Sequence, residues 1–209
     1  STACQLHPLC NIILQHYQHR IQGTSKNSMP ALSKVVLGLD FGTESVRALL
    51  VDLQGNELAS ISVAYAHGQI VETLPERREK LPPFSAFQHP TDWIESAAKA
   101  TRSATKKAKI DASAIVGIGV DFTSCTMLPT QSDGTPLCLL KEFANEPQAW
   151  PKLWKHHGAQ AQTDRINAVA RSRNESFLDR YGGIIGLEWL FPKMLEALEK
   201  APQVYKAAD

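Results

Sequence analysis

Residues 35 to 65 alternate short apolar runs with polar turns. Val35-Val36-Leu37-Gly38-Leu39, Val46 to Leu53 and Glu57 to Tyr65 are each of strand length, and they predict three successive strands. The last two are joined by the turn Gln54-Gly55-Asn56, so the set reads as adjacent antiparallel strands. From Ala66 to His89 the pattern breaks. Pro75, Pro82 and Pro83 surround the cluster Glu76-Arg77-Arg78-Glu79-Lys80, which predicts a long solvated loop. Periodicity returns at Pro90-Thr91-Asp92, a helix start with Thr91 as cap, and continues through Trp93, Ile94, Ala97, Ala98 and Ala104 to about Lys109. Lys106, Lys107 and Lys109 complement the dipole at its end. Ala114 to Phe122 is almost uninterrupted apolar sequence. It predicts a central strand covered on both faces and reached by a parallel crossover.

Further along, Ser132-Asp133-Gly134 predicts the turn of a hairpin between Thr126 to Thr130 and Pro136 to Leu140. A helix is expected over about Ala159 to Arg171, and Gly182-Gly183 marks a turn that needs positive φ or a close approach. Leu187, Leu190, Phe191, Met194, Leu195 and Leu198 have helical spacing over Glu188 to Lys200. Pro192 should kink that helix or move its start. Residues 1–33 differ from all of this: they hold three of the seven histidines, no Asp or Glu, and one short apolar stretch, Ile12-Ile13-Leu14. That stretch is too short for a secretory hydrophobic region. We expect a disordered or non-native tail, with Met29 as a candidate native start and residues 34–209 as the folded part. The lack of Met at position 1 fits a chain fragment.

Composition narrows the classes. Of the 209 residues, 43% are hydrophobic and 21% charged, which suits a globular domain with a sizeable core. A net charge of +1 argues against a nucleic-acid partner, because counterion release needs clustered Lys and Arg. No apolar run approaches the roughly 20 residues that cross a bilayer, so no membrane partner is expected. Cys4, Cys10, Cys125 and Cys138 match no metal spacing and read as free thiols, Cys125 as a half-buried packing thiol. His156 and His157 lack a ligand partner at metal spacing and read as polar loop residues.

Three short segments carry candidate chemistry. Asp40-Phe41-Gly42-Thr43 sits between two predicted strands. Gly42 lets backbone N–H groups approach an anion, Thr43 adds a hydroxyl, and Asp40 offers a carboxylate to Mg²⁺ or its water shell. An ordinary hairpin turn would favour the same residues. Asp121-Phe122-Thr123-Ser124-Cys125-Thr126 follows a strand, where α/β sheets collect ligands, and its carboxylate and hydroxyls suit a polyol. The competing reading is a strand-end turn closed by its own side chains. Trp154-Lys155 pairs an aromatic face, suited to sugar C–H surface, with an ammonium that can bond hydroxyl or phosphate oxygens.

Five ordered segments, LGLDFGTESVRALLVD at 37–52, VGIGVDFTSCTMLP at 116–129, LCLLKEF at 137–143, LWKHH at 153–157 and RYGGIIGLEW at 180–189, resemble the FGGY carbohydrate kinases, most closely the L-ribulokinase branch. The resemblance implies an α/β, actin-like (ribonuclease-H-like) ATPase half-fold, a mixed sheet with flanking helices that is incomplete at its C-terminus. It implies ATP and Mg²⁺ as cofactors, a ketopentose as substrate, phosphorylation of L-ribulose to L-ribulose 5-phosphate in arabinose catabolism, and a cytoplasmic setting. Asp40, Gly42, Thr43 and Arg47 would face the phosphate, with Asp40 at the metal; Asp121, Thr123, Ser124, Cys125, Trp154 and Lys155 would line the sugar side. The family's general base is an Asp in a later Gly-x-x-Asp segment that nothing here matches. It is expected beyond Asp209, together with the adenosine pocket, and a half-site should be nearly inert. A kinase for D-ribulose or xylulose, or an actin- or heat-shock-like ATPase, are the competing readings. Homo-oligomerisation stays open.

Overall fold

The computed structural model describes residues 34–75 and 77–209. The expected tail at 1–33, with Cys4, Cys10 and Met29, lies outside the described residues, as does Glu76. The described residues divide into two compact units: one holds 34–41 with 45–63 and 93–121, the other 42–44, 64–92 and 122–209.

The first unit is built on a mixed four-stranded sheet, β1 (Val35–Phe41), β2 (Ser45–Asp52), β3 (Glu57–Ala64) and β4 (Ile115–Phe122), in the order β3-β2-β1-β4. β1 and β2 pair antiparallel, with Leu37 opposite Leu50 and Asp40 opposite Arg47. Strand alternation turns Val35, Leu37, Leu39, Val46, Ala48 and Leu50 inward, and all six are buried. Asp52 closes the β2–β3 turn by accepting from the N–H groups of Gln54 and Asn56, each at 2.9 Å. The first helix, α1 (Pro90–Ala108), buries Ala97, Ala100 and Ala104 on one face. It ends where Lys109 takes a left-handed φ of 54° and the Ile110 N–H returns to the Thr105 carbonyl at 3.2 Å.

Two expectations fail in this part of the chain. The Thr91 hydroxyl, predicted as the helix cap, lies 2.7 Å from His89 Nδ1 instead. β4 is not covered on both faces: among the described strands it lies at the end of the sheet, and Val116, Ile118, Val120 and Phe122 are exposed. Its alternate positions include Gly117 and Gly119, so the run that reads as uniformly apolar has one glycine face and one large apolar face.

The second unit corrects the loop reading. Residues 66–89 are irregular, yet Ile70, Leu74, Leu81 and Phe87 are core residues, packed in one cluster with Leu137, Cys138, Ala149, Trp150 and Val204. Isolated bridges Ile70–Phe87, Phe87–Lys152 and Met127–Lys152 stitch four stretches side by side. The pairing that should have made a hairpin of 126–130 and 136–140 is reduced to one bridge, Thr130–Pro136. Met127 pairs with Lys152, and Leu137–Leu139 is a 3₁₀ turn. Burial pushes the Cys138 thiol up to about 12, so the free-thiol reading holds for an inert core residue.

Helices α2 (Gln160–Ser172), α3 (Phe177–Arg180), α4 (Leu190–Lys200) and α5 (Pro202–Ala207) complete this unit. Gly182 and Gly183 both adopt positive φ, 70° and 87°. Pro192 lies in the first turn of α4, where a missing N–H is one of the helix's unpaired donors anyway. The predicted apolar stripe of α4 does not face inward. Pro192, Lys193, Glu196 and Ala197 are the buried positions, whereas Leu190 and Phe191 are 45% and 64% exposed. No helix among the described residues is long and apolar enough to cross a membrane.

Leu50 is fully buried in the sheet core of the first unit. Leu50→Ala should lower the unfolding free energy by about 2–5 kcal/mol, read from urea denaturation.

Candidate functional site

In the first unit, the β1–β2 register sets Asp40 directly across from Arg47, both exposed, so their side chains leave the same face of the sheet. Asp40 is an accessible oxygen donor of the type that suits Mg²⁺ or its water shell. Asp121 is exposed near the end of β4.

The remaining predicted residues fall in the second unit. The turn 42–44 is held there from three sides. The amide of buried Gln88 donates to the Thr43 carbonyl at 2.7 Å and reaches the Gly42 carbonyl at 3.5 Å. The Tyr65 N–H donates to the Glu44 carbonyl at 2.9 Å, and Gln69 bonds the Glu44 carboxylate. Most informative is the Trp154 indole N–H, which donates to the Thr43 hydroxyl at 3.1 Å. It ties a residue read on the phosphate side to one read on the sugar side. That bond occupies an acceptor position of the hydroxyl, and its own proton remains to be donated.

The segment after β4 is compact. Thr123 and Thr126 hydroxyls lie 2.8 Å apart, and Ser124 Oγ lies 3.5 Å from Cys125 Sγ. Cys125 has a left-handed φ of 61°, a conformation that costs a non-glycine residue free energy and needs outside support. The support is Lys193, whose ammonium donates to the Cys125 carbonyl at 2.9 Å and to the Leu153 carbonyl at 2.6 Å. One buried side chain thus joins the 123–126 turn to the segment carrying Trp154. Trp154 remains 45% exposed and Lys155 is exposed, both available to a ligand.

Lys193 is fixed in turn by a buried ionic cluster that sequence reading missed. Lys152, fully buried, donates to the Lys193 carbonyl at 3.1 Å and to Gln148 Oε1 at 2.5 Å, and lies 3.3 Å from Glu196. Glu196 also meets His156 at 3.0 Å and Lys200 at 2.8 Å. His156 Nδ1 accepts from the Ala86 N–H at 3.2 Å, which leaves Nε2 to carry the proton donated to Glu196. His156, read from sequence as a polar loop residue, is therefore a buried, hydrogen-bonded one. Gly158 is required beside it, because a Cβ would come 2.7 Å from His156 Nε2 and 2.8 Å from Glu196 Oε1. The signal available in the sequence was Lys193 and Glu196, three apart inside a helix, a spacing that puts them on one face.

Burial pushes the Glu196 carboxyl up, but the His156 hydrogen bond and the Lys152 charge outweigh it and hold it well below its ordinary 4.5. Burial also lowers His156 below 6.5, against the pull of Glu196, and brings Lys193 down to about 8. For both Glu196 and His156 the unfolded chain takes up protons before the folded one as the medium is acidified. The His156 contribution is full above 6.5 and falls as the pH drops below it, and the Glu196 contribution is full above 4.5 and falls below that value. Thermal melts across that range should show a steep acid loss in the native chain. Glu196→Gln should flatten that loss while costing about 3–5 kcal/mol near neutral pH, since it leaves Lys152 buried without its counter-charge.

Comparison with known proteins bears on family and fold. The model for the N-terminal domain of the FGGY family of carbohydrate kinases matches residues 35–205. A ribulokinase of Geobacillus thermodenitrificans is 48% identical over 176 residues, covering 84% of this chain and 31% of the relative. One of Mycolicibacterium smegmatis is 50% identical over 182 residues, covering 86% and 32%. The chain thus spans about a third of the length of these curated relatives. Among solved structures, a xylulose kinase from Rhodospirillum rubrum superposes with a TM-score of 0.64 at 21% identity, covering 84% of this chain and 31% of that one. A Plasmodium falciparum glycerol kinase with ADP gives 0.59 at 13% identity, covering 83% and 30%. These likenesses assign the sheet and its flanking helices to the actin-like half-fold. With the family match extending over most of its length, the chain belongs to the FGGY family of carbohydrate kinases, as an N-terminal domain.

Proposed function

We propose that this domain forms the sugar-binding part of a cytoplasmic, ATP- and Mg²⁺-dependent kinase that phosphorylates the terminal hydroxyl of L-ribulose. The observation that carries the reading is the bond from the Trp154 indole to the Thr43 hydroxyl, which joins the phosphate turn to the segment suited to stacking on a sugar. The relatives, ribulokinases at 46–50% identity, favour a ribulose over xylulose.

In this reading Asp40 holds the metal or its water shell, and ATP with its metal supplies the phosphoryl group and screens its charge. Arg47, the Thr43 hydroxyl and the backbone at Gly42 bond phosphate oxygens. Thr123, Ser124, the Cys125 backbone and Asp121 orient the sugar hydroxyls, Trp154 packs on its C–H face, and Lys155 meets an oxygen at the rim. Residues 34–209 form an incomplete sugar-binding domain under this proposal. The base that removes the hydroxyl proton and the adenosine pocket lie outside these residues, so the 209-residue chain alone is inactive.

The full-length protein assayed with Mg·ATP should convert L-ribulose in preference to D-ribulose and D-xylulose. Trp154→Ala should raise KM for the sugar roughly tenfold, and Asp40→Asn should lower kcat by about 10²-fold or more. ATP turnover indifferent to every sugar would instead favour an actin- or heat-shock-like ATPase.

A further inference from the structure

A second cluster, apart from the residues given to sugar and phosphate, lies where the 66–89 segment meets the first turn of α1. His67, His89 and Asp92 each offer a ligand atom, and the three atoms lie within 4.8 Å of one another. Asp92 is 2% exposed, and no lysine or arginine pairs with it among the described residues. Among the described residues its oxygens meet His67: Oδ2 accepts from the His67 N–H and Oδ1 lies 2.8 Å from His67 Nδ1. A buried carboxylate without a permanent counter-cation is costly unless a cation joins it.

The imidazoles of His67 and His89 stack at 4.1 Å with an angle of 14° between planes. His89 is oriented from outside the cluster, by the Thr91 hydroxyl 2.7 Å from Nδ1 and by the edge of Trp150 at 5.4 Å. Such flanking contacts fix the ring of a metal-ligating histidine. His67 is 42% exposed and has room to move. Zinc bonds of about 2.0–2.1 Å place neighbouring ligand atoms roughly 3.3 Å apart, so modest side-chain rotation closes the set.

We propose that His67, His89 and Asp92 bind one divalent transition-metal cation of the zinc class. Two imidazole nitrogens and a carboxylate oxygen suit Zn²⁺ or Co²⁺ rather than Mg²⁺, and three protein ligands leave a position for water. The bound cation would clamp the 66–89 segment to the start of α1, independently of the kinase reading.

The test uses the metal-stripped 209-residue chain, titrated calorimetrically with Zn²⁺ and, in parallel, with Co²⁺ under visible absorption. The chain also carries His7, His16 and His19, so site variants decide the outcome. One site should be seen in the native chain, with affinity reduced tenfold or more in both His67→Ala and His89→Ala, and the cobalt ligand-field bands lost in both. Circular dichroism should show both variants folded. Should either fail to fold, Asp92→Asn, nearly isosteric with the native residue, is read in its place. Absence of a site in the native chain, or a loss smaller than tenfold in a folded variant, overturns the proposal.

Discussion

The second unit depends on one buried negative charge. Glu196 is 1% exposed and gathers Lys152, His156 and Lys200 around a single carboxylate. Without it, Lys152 and His156 would be left in the interior with little to offset their desolvation. With it, Lys152 can hold the carbonyl of Lys193, and Lys193 can hold the carbonyls of Cys125 and Leu153. The strained turn at Cys125 and the placement of Trp154 are the far end of a chain of bonds that begins at Glu196.

That network explains why α4 is turned around. A helix usually buries its apolar stripe, yet here the polar positions go inside because each has a specific partner. The apolar positions, Leu190, Phe191, Met194, Leu195 and Leu198, line an open cavity of about 810 Å³ with Cys125, Trp189 and Tyr205. The same helix therefore serves two surfaces, a polar one that holds the Cys125 and Leu153 carbonyls and an apolar one that lines the cavity.

Where period and turn chemistry agree, the sequence was legible: β1 to β3, α1 and α2 lie within a few residues of expectation, and Gly182 and Gly183 take the expected positive φ. The failures have physical causes. Apolar residues 70, 74, 81 and 87 are few and broken up by Pro75, Pro82 and Pro83, so their burial comes from tertiary packing that no continuous period announces. Thr91 is a good cap by type, but a histidine two residues earlier takes its hydroxyl. The Asp40–Arg47 pairing followed from strand register, and the Thr43–Trp154 bond joins residues 111 apart, beyond any local pattern. Lys193 escaped notice because its neighbours advertise an apolar helix.

Gly158 sits against both His156 and Glu196 with no room for a methyl group. The three positions therefore share one volume as well as one charge. A lineage that enlarges residue 158 must shrink or redirect 156 or 196 in the same step, and either change disturbs the lysine that supports Cys125. Substitution at this point is a joint event.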